Sequence, residues 1–226
     1  MKTHLFLFTL CLVLCIGCNE AAKWEPLFPN DGKLPAGWFA GNWDDVSKPP
    51  PEGTDWQEKD GVLTNEGVRD SWLISEKDYC NFELEFEFKL GERGNSGCAL
   101  RVPPKGDPAF DGVEIQMADV RYNPEATDAE LTGGIYRAIA PTQQVYKPLE
   151  WNKYHIVCKG PRIKVTLNGV LIQDVNLKEH EYTVLRHSGE EAVPLNKRPI
   201  CGRIGFQELS YESKAQIRNA RIKELK

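Results

Sequence analysis

Phe82–Leu90 reads FELEFEFKL, and its alternation is unbroken. Phe82, Leu84, Phe86, Phe88 and Leu90 fall on one parity, Glu83, Glu85, Glu87 and Lys89 on the other. Successive side chains of an extended chain point to opposite faces, so this run makes one apolar and one charged surface, as a half-buried β-strand requires. The three glutamates read as a solvated outer surface that also discourages edge pairing. A cation site or an interaction face is the alternative.

The same period extends outward on both sides. Downstream, Cys98, Leu100 and Val102 alternate with Ala99 and Arg101; Val113, Ile115 and Met117 alternate with Glu114 and Gln116. By parity, Arg101, Glu114 and Gln116 are offered from one sheet surface. Asp119 follows where that run breaks, and Gly133, Gly134 and Tyr136 open the next. Pro103–Asp111 and Asp119–Thr132 carry no strand period; they read as long loops and candidate rims of a cleft. Tyr154, Ile156 and Cys158 form another run, and Asn168–Gly169 between Ile163–Leu167 and Val170–Ile172 is a strong hairpin signal. Upstream, Asp60–Gly61 before Val62–Leu63 reads as a tight hairpin, Ser71–Ser75 as a strand, and the proline-rich stretch from Ser47 to Gly53 as an exposed loop. Arg203–Leu209 and Ile217–Leu225 complete the set, the last closing the sheet near the first strand. Residues 178–199 lose periodicity. No stretch sustains a period of 3.6, and about a dozen short strands with many turn signals give an all-β sandwich or jelly roll.

Composition sets the frame. With 226 residues, 41% hydrophobic and 27% charged, the chain suits one core and one domain. Met1–Lys2, the apolar run Leu5–Ile16 and the pair Gly17–Cys18 read as an export signal over 1–17. The apolar run is about half of the ~20 residues that a membrane-spanning helix needs. A small residue before a cysteine resembles a bacterial lipobox, although Cys15 stands where leucine is usual. Cys18 is then the lipid-bearing residue, 18–25 a tether, and 26–226 a domain held at the cell envelope, touching the membrane only through its anchor. No basic stripe stands out against a formal net charge of −5, which argues against nucleic acid. Cys80, Cys98, Cys158 and Cys201 allow two disulfides, or buried thiols at Cys98 and Cys158; their spacing fits no zinc pattern.

Assembled in order, the pieces resemble the 3-keto-disaccharide hydrolase domain, a concanavalin A-like jelly roll. The residues that carry the match are Leu27–Phe28 with Gly37–Trp38, Asp60–Leu63, Phe82–Leu84, Asn95–Gly97 with Arg101, Gly112 with Glu114, Gln116 and Asp119, Thr132–Gly133 with Tyr136, Trp151–Asn152, Asn168–Gly169, Gly205 with Gln207, and Arg218–Asn219. The loop Asp119–Leu131 and the stretch Leu185–Pro199 have no motif that aligns. The resemblance implies a carbohydrate ligand oxidised at carbon 3, whose glycosidic bond is then broken.

A ketone at carbon 3 acidifies the proton on carbon 2, so a carboxylate can remove it while the oxygen on carbon 1 leaves and water later adds. Glu114 and Asp119 are the candidate carboxylates, Arg101 the candidate to steady the enolate, Gln116 a hydroxyl binder, and Tyr136 a stacking or proton-donating group. Asn95 and Gln207 join them as substrate-binding candidates through the matched motifs. Each has a plainer reading: Arg101 with Glu114 as a cross-strand ion pair, Asp119 as a turn cap, Tyr136 and Gln207 as packing. His155 is expected to be a satisfied partner, His180 and His187 are recruited by nothing nearby, and Trp151–Asn152 is expected to be structural. Direct hydrolysis by a carboxylate pair competes with elimination, and a divalent cation held by Glu114 or Asp119 would polarise the ketone. A non-catalytic glycan-binding module and a structural surface protein are the readings outside enzymology. Oligomeric state stays open.

Overall fold

The alternating segments form strands. In chain order they are β1 (Glu25–Pro26), β2 (Trp38–Asn42), β3 (Trp56–Lys59), β4 (Val62–Asn65), β5 (Ser71–Ser75), β6 (Phe82–Lys89), β7 (Asn95–Val102), β8 (Val113–Ala118), β9 (Asn152–Lys159), β10 (Arg162–Leu167), β11 (Val170–Asn176), β12 (Arg203–Glu208) and β13 (Gln216–Glu224), with one helical turn, α1 (Pro108–Asp111), between β7 and β8. A computed structural model describes residues 22–28, 34–211 and 214–226. The export segment 1–17, Cys18, the tether as far as residue 21 and the turn Pro29–Gly32 lie outside the described residues. Among the described residues no helix is long and apolar enough to cross a membrane.

Two antiparallel sheets result. One has eight strands in the order β11-β10-β9-β6-β13-β4-β3, with β1 added against β13; the other has five, in the order β2-β5-β12-β7-β8. Membership alternates along the chain, so the polypeptide crosses repeatedly between the layers, as a jelly roll does. The core lies between them. β6 contributes Phe82, Leu84, Phe86 and Phe88, all fully buried, each stabilising the fold by roughly 1.5–3 kcal/mol relative to exposure. Phe86 meets Phe206 of the opposite sheet edge-on at 5.2 Å, and Phe88 stacks on Tyr154 at 4.9 Å. The hydroxyl of Tyr154 then donates to the carbonyl of Gln116 at 2.9 Å, tying the eight-stranded sheet to the back of β8.

The glutamate face of β6 is the outer surface of the larger sheet, half-buried under basic side chains of the neighbouring strands. Glu83 pairs with His155 at 3.0 Å and Lys223 at 2.6 Å, Glu85 with Arg221 at 2.6 Å and Lys153 at 3.2 Å, and Glu87 with Arg218 at 2.7 Å. Both hairpin turns take the form that their sequences demand. Asp60 and Gly61 have φ of 53° and 79°, Asn168 and Gly169 of 51° and 84°, the left-handed pair of a type I′ turn. Asn152 is wholly buried and exchanges hydrogen bonds with Lys147, Glu150 and Asn168, a structural knot. Cys80 and Cys201 form a disulfide, while Cys98 and Cys158 are buried thiols.

Strict alternation fails at one place that matters. β7 and β12 pair Ala99 with Gly205 and Val102 with Arg203, so Leu100 and Arg101 together oppose Ile204, a β-bulge. Arg101 sits in the left-handed region at φ 57°, and Val102 consequently joins Ala99, Trp72 and Ile74 in the cluster on the far side of the sheet. The expectation that Arg101 shares a face with Glu114 and Gln116 is therefore corrected. Its guanidinium is fully buried, donates from Nη2 to the Gly160 carbonyl at 2.5 Å, and has no partner at Nε or Nη1.

Candidate functional site

The site lies on the face of the five-stranded sheet that points away from the core. β7 and β8 pair Gly97 with Gln116 and Ala99 with Glu114, and β12 sets Gln207 opposite Trp72 of β5. Gln207 and Gln116 thus flank a strand that has no side chain at Gly97. The Glu114 side chain occupies that space: a Cβ at Gly97 would stand 1.8 Å from Glu114 Oε1. Glycine is required here for close approach.

Loops build the walls. Trp43 follows β2, Asp107 and Ala109 come from the segment around α1, Tyr136 from the turn after β8, and His187 from a small hairpin closed by the Leu185–Glu191 bridge. Together with Asn95, Glu114, Gln116, Gln207 and Leu209 they enclose a pit of about 20 Å³, space for roughly one water molecule. The pit adjoins a groove of about 580 Å³ that shares Trp43, Asp107 and His187 and adds Asp44, Asp45, Lys48, Asp111, Arg186 and Glu190. The groove is large enough to admit a sugar ring and the pit is not.

Burial dominates the electrostatics. Glu114 is 2% exposed and its Oε1 has no hydrogen-bond partner; desolvation, reinforced by Asp107, pushes its carboxyl well above the ordinary range. Asp107 is raised by burial to about 7 even though its Oδ1 accepts from the Ala109 amide at 2.9 Å. The pit therefore holds two carboxyl groups with unequal proton affinities. Burial and the nearby Arg137 charge lower the His187 pKa, leaving a neutral imidazole 3.5 Å from the Tyr136 hydroxyl. Burial raises the Tyr136 phenol, which stays protonated. Gln116 Oε1 accepts from the Met117 amide at 2.9 Å, which leaves its amide donors for the pit. Asn95 Oδ1 is buried and unpartnered.

Of the residues singled out in the sequence, the structure brings together Glu114, Gln116, Tyr136, Asn95 and Gln207. It places Arg101 and Asp119 elsewhere. Asp119 is fully buried below the end of β8, clasped by Arg121 through bonds of 2.7 and 2.9 Å and by the Tyr146 hydroxyl at 3.3 Å. Burial opposes its ionisation, but the Arg121 bonds hold its pKa below the usual value. No residue of Asp119–Leu131 lines the pit or the groove, whereas the Pro103–Asp111 loop lines both.

Sequence reasoning missed Asp107, Trp43 and His187. The signal for Asp107 was present: an acid directly before proline at the start of a short helix is an N-cap. For His187 there was none, since its place depends on Arg186 gripping both Asp111 oxygens, one at 3.1 Å. Among the described residues no three His, Cys, Asp or Glu side chains gather as ligands for a metal ion.

Comparison with known proteins agrees with this architecture. A protein of Parabacteroides distasonis ATCC 8503 described as a candidate glycosyl hydrolase is 31% identical, with 90% of this chain and 100% of that chain covered at a TM-score of 0.72. A second from the same organism, with the same description, is 26% identical over 87% and 92% of the two chains at 0.65. SCLam, a non-specific endo-β-1,3(4)-glucanase of family GH16, shares the fold alone, at 12% identity over 90% and 92% and a TM-score of 0.55. No curated protein sequence matches. The two sheets are those of a concanavalin A-like jelly roll. Residues 23–223 match the 3-keto-alpha-glucoside-1,2-lyase-like domain, and the chain belongs to that family.

Proposed function

We propose that this protein cleaves the glycosidic bond of 3-keto-glycosides by elimination at the pit on the five-stranded sheet. The observation that carries the reading is the presence in one pit of Glu114, whose Oε1 has no partner and whose burial favours the protonated form, and of Asp107, raised by burial to about 7. Such unequal carboxyls divide acid and base roles between them. Asp107 takes the proton from carbon 2, and the C–H electron pair forms an enolate on the carbon 3 oxygen. That oxygen is met by the amide donors of Gln116 and Gln207. Collapse of the enolate restores the ketone, forms the double bond between carbons 1 and 2, and expels the carbon 1 oxygen, which receives the Glu114 proton. The products are the aglycone alcohol and an unsaturated 3-ketone, to which water can add. Asn95 and Tyr136 bind hydroxyl groups at the rim.

Export and lipid attachment at Cys18 belong to the same proposal. The support is the Gly17–Cys18 pair behind an apolar run, and Cys18→Ala is expected to move the protein from the membrane to the soluble fraction. The enzymatic reading is tested by incubating the purified domain with 3-keto-glucosides and their unoxidised parents, with and without chelator. Release of aglycone from the keto sugar alone is expected. Equal release from the parents would mean direct hydrolysis, binding without release a glycan-binding module, and loss of release with chelator a required cation.

A further inference from the structure

The groove beside the pit is lined by more acids than bases. Asp44, Asp45, Asp107, Asp111 and Glu190 stand around it, against Lys48 and Arg186. Both cations face acids: Lys48 Nζ lies 3.4 Å from Asp44 in an exposed pair, and Arg186 is clamped on Asp111. Arg137, beside Tyr136, is paired with Glu130 at 3.0 Å. Asp45 is ionised at any working pH, because hydrogen bonds from the Gly106 amide and from Ser47 hold it at about 2. The pit itself is lined by no lysine or arginine, while Glu114 Oε1 and Asn95 Oδ1, on side chains more than nine-tenths buried, face it without partners. A ligand crossing the groove meets more acids than cations, and in the pit only carboxyl, amide and aromatic groups.

We propose that the groove selects the leaving group by charge, accepting neutral or amine-bearing aglycones and rejecting those that carry a carboxylate, sulfate or phosphate. The inference rests on the elimination reading for what the leaving group is, but the electrostatics act on binding alone. An anionic group roughly 8 Å from one unpaired acid loses about twofold in affinity if water screens the pair and about 30-fold at an effective dielectric near 20. Tenfold discrimination is the expected scale. It should shrink in 1 M salt, where the screening length falls to about 3 Å.

The test uses 4-hydroxymethylphenyl, 4-carboxyphenyl and 4-aminomethylphenyl glucosides of each anomer, which differ in charge at nearly constant shape. Two readouts are taken on the intact protein: aglycone release from the 3-keto forms, and quenching of Trp43 fluorescence, isolated by difference from Trp43→Phe, on titration with the unoxidised parents. The expected order in both is amine-bearing or neutral above carboxylate by about tenfold. Glu190→Lys should narrow that gap by about fivefold. If no keto sugar releases aglycone but the binding order holds, the elimination reading fails and the charge selection stands. Equal binding of the carboxylate and hydroxymethyl compounds, binding by neither, or a gap unmoved by both salt and Glu190→Lys overturns the charge selection.

Discussion

Glu114 and Gly97 work as one unit at the scale of single residues. The carboxyl lies where a β-carbon would be on the next strand, so Gly97→Ala pushes a flexible side chain aside without breaching the backbone. Turnover on a 3-keto-glucoside is expected to fall by roughly 100-fold, as a misplacement near 1 Å does, while the melting temperature moves little. Glu114→Gln, which keeps shape and removes the transferable proton, is expected to lower kcat by about 10²–10⁴ with substrate affinity retained. Kinetics and thermal melts on both variants check the pair, and a loss of affinity with kcat intact would make Glu114 a binding group only. Arg101 is the contrasting case. It is a buried guanidinium with one hydrogen bond and no counter-charge, so Arg101→Met should leave kcat/KM within about twofold and stability unchanged or raised by up to roughly 2 kcal/mol. Its misplacement in the sequence reading has a definite cause, since parity is a local rule and one inserted residue reverses it. Asp119 was legible: it shares parity with Met117, whose side chain is in the core, and extending the alternation two residues turns it away from Glu114.

Elements divide sharply into those that sequence reveals and those that it does not. β6, β9 and β10 repeat every second residue because one face of each is buried, and the hairpins at Asp60–Gly61 and Asn168–Gly169 follow from the φ values that their turns require. The walls of the site are loops, and their placement depends on contacts between residues far apart in the chain. The His187 hairpin is held by Arg186 on Asp111 and by the Arg137 bond to the Leu185 carbonyl at 3.1 Å. Arg186→Ala should free it. Amide exchange over residues 184–192 is expected to accelerate, with kcat/KM reduced about tenfold and the melting temperature lowered by only about 2–4 °C, the shift that ~1 kcal/mol produces in a chain of this size. Unchanged exchange in that segment would show that packing of His187 between Trp43 and Phe110 suffices to hold it.

The whole molecule combines carboxyl groups of two opposed kinds, and the combination sets how stability follows pH. Burial raises Asp107 and Glu208 each to about 7 and Glu114 well above its ordinary value; Glu208 is further occupied in accepting the amides of Ser210 and Ala215. A carboxyl whose folded pKa exceeds its unfolded one favours the fold fully below the unfolded value, and that contribution is lost as pH rises through the folded value. For Asp107 and Glu208 the loss runs from about pH 4 to about 7. The acids held by hydrogen bonds and cations act in the other direction. Asp45, held at about 2, and Glu83, Glu85 and Asp119, held below their usual values, contribute stability above about pH 4 that disappears as the pH falls through their folded pKa values. Stability should therefore peak on the acid side of neutrality, near pH 4–5, and decline toward pH 7, the opposite slope from a protein whose carboxylates are all paired at the surface. Denaturant unfolding from pH 3 to 8 measures this directly. The double variant Asp107→Asn with Glu208→Gln is expected to make the decline between pH 4 and 7 shallower, leaving the part that belongs to Glu114, with the acid limb in place, because the groups responsible for that limb lie on the outer face of β6 and in the Asp45 and Asp119 turns. A decline that survives both substitutions at full size would assign it to Glu114 alone, and Glu114→Gln would then have to abolish it.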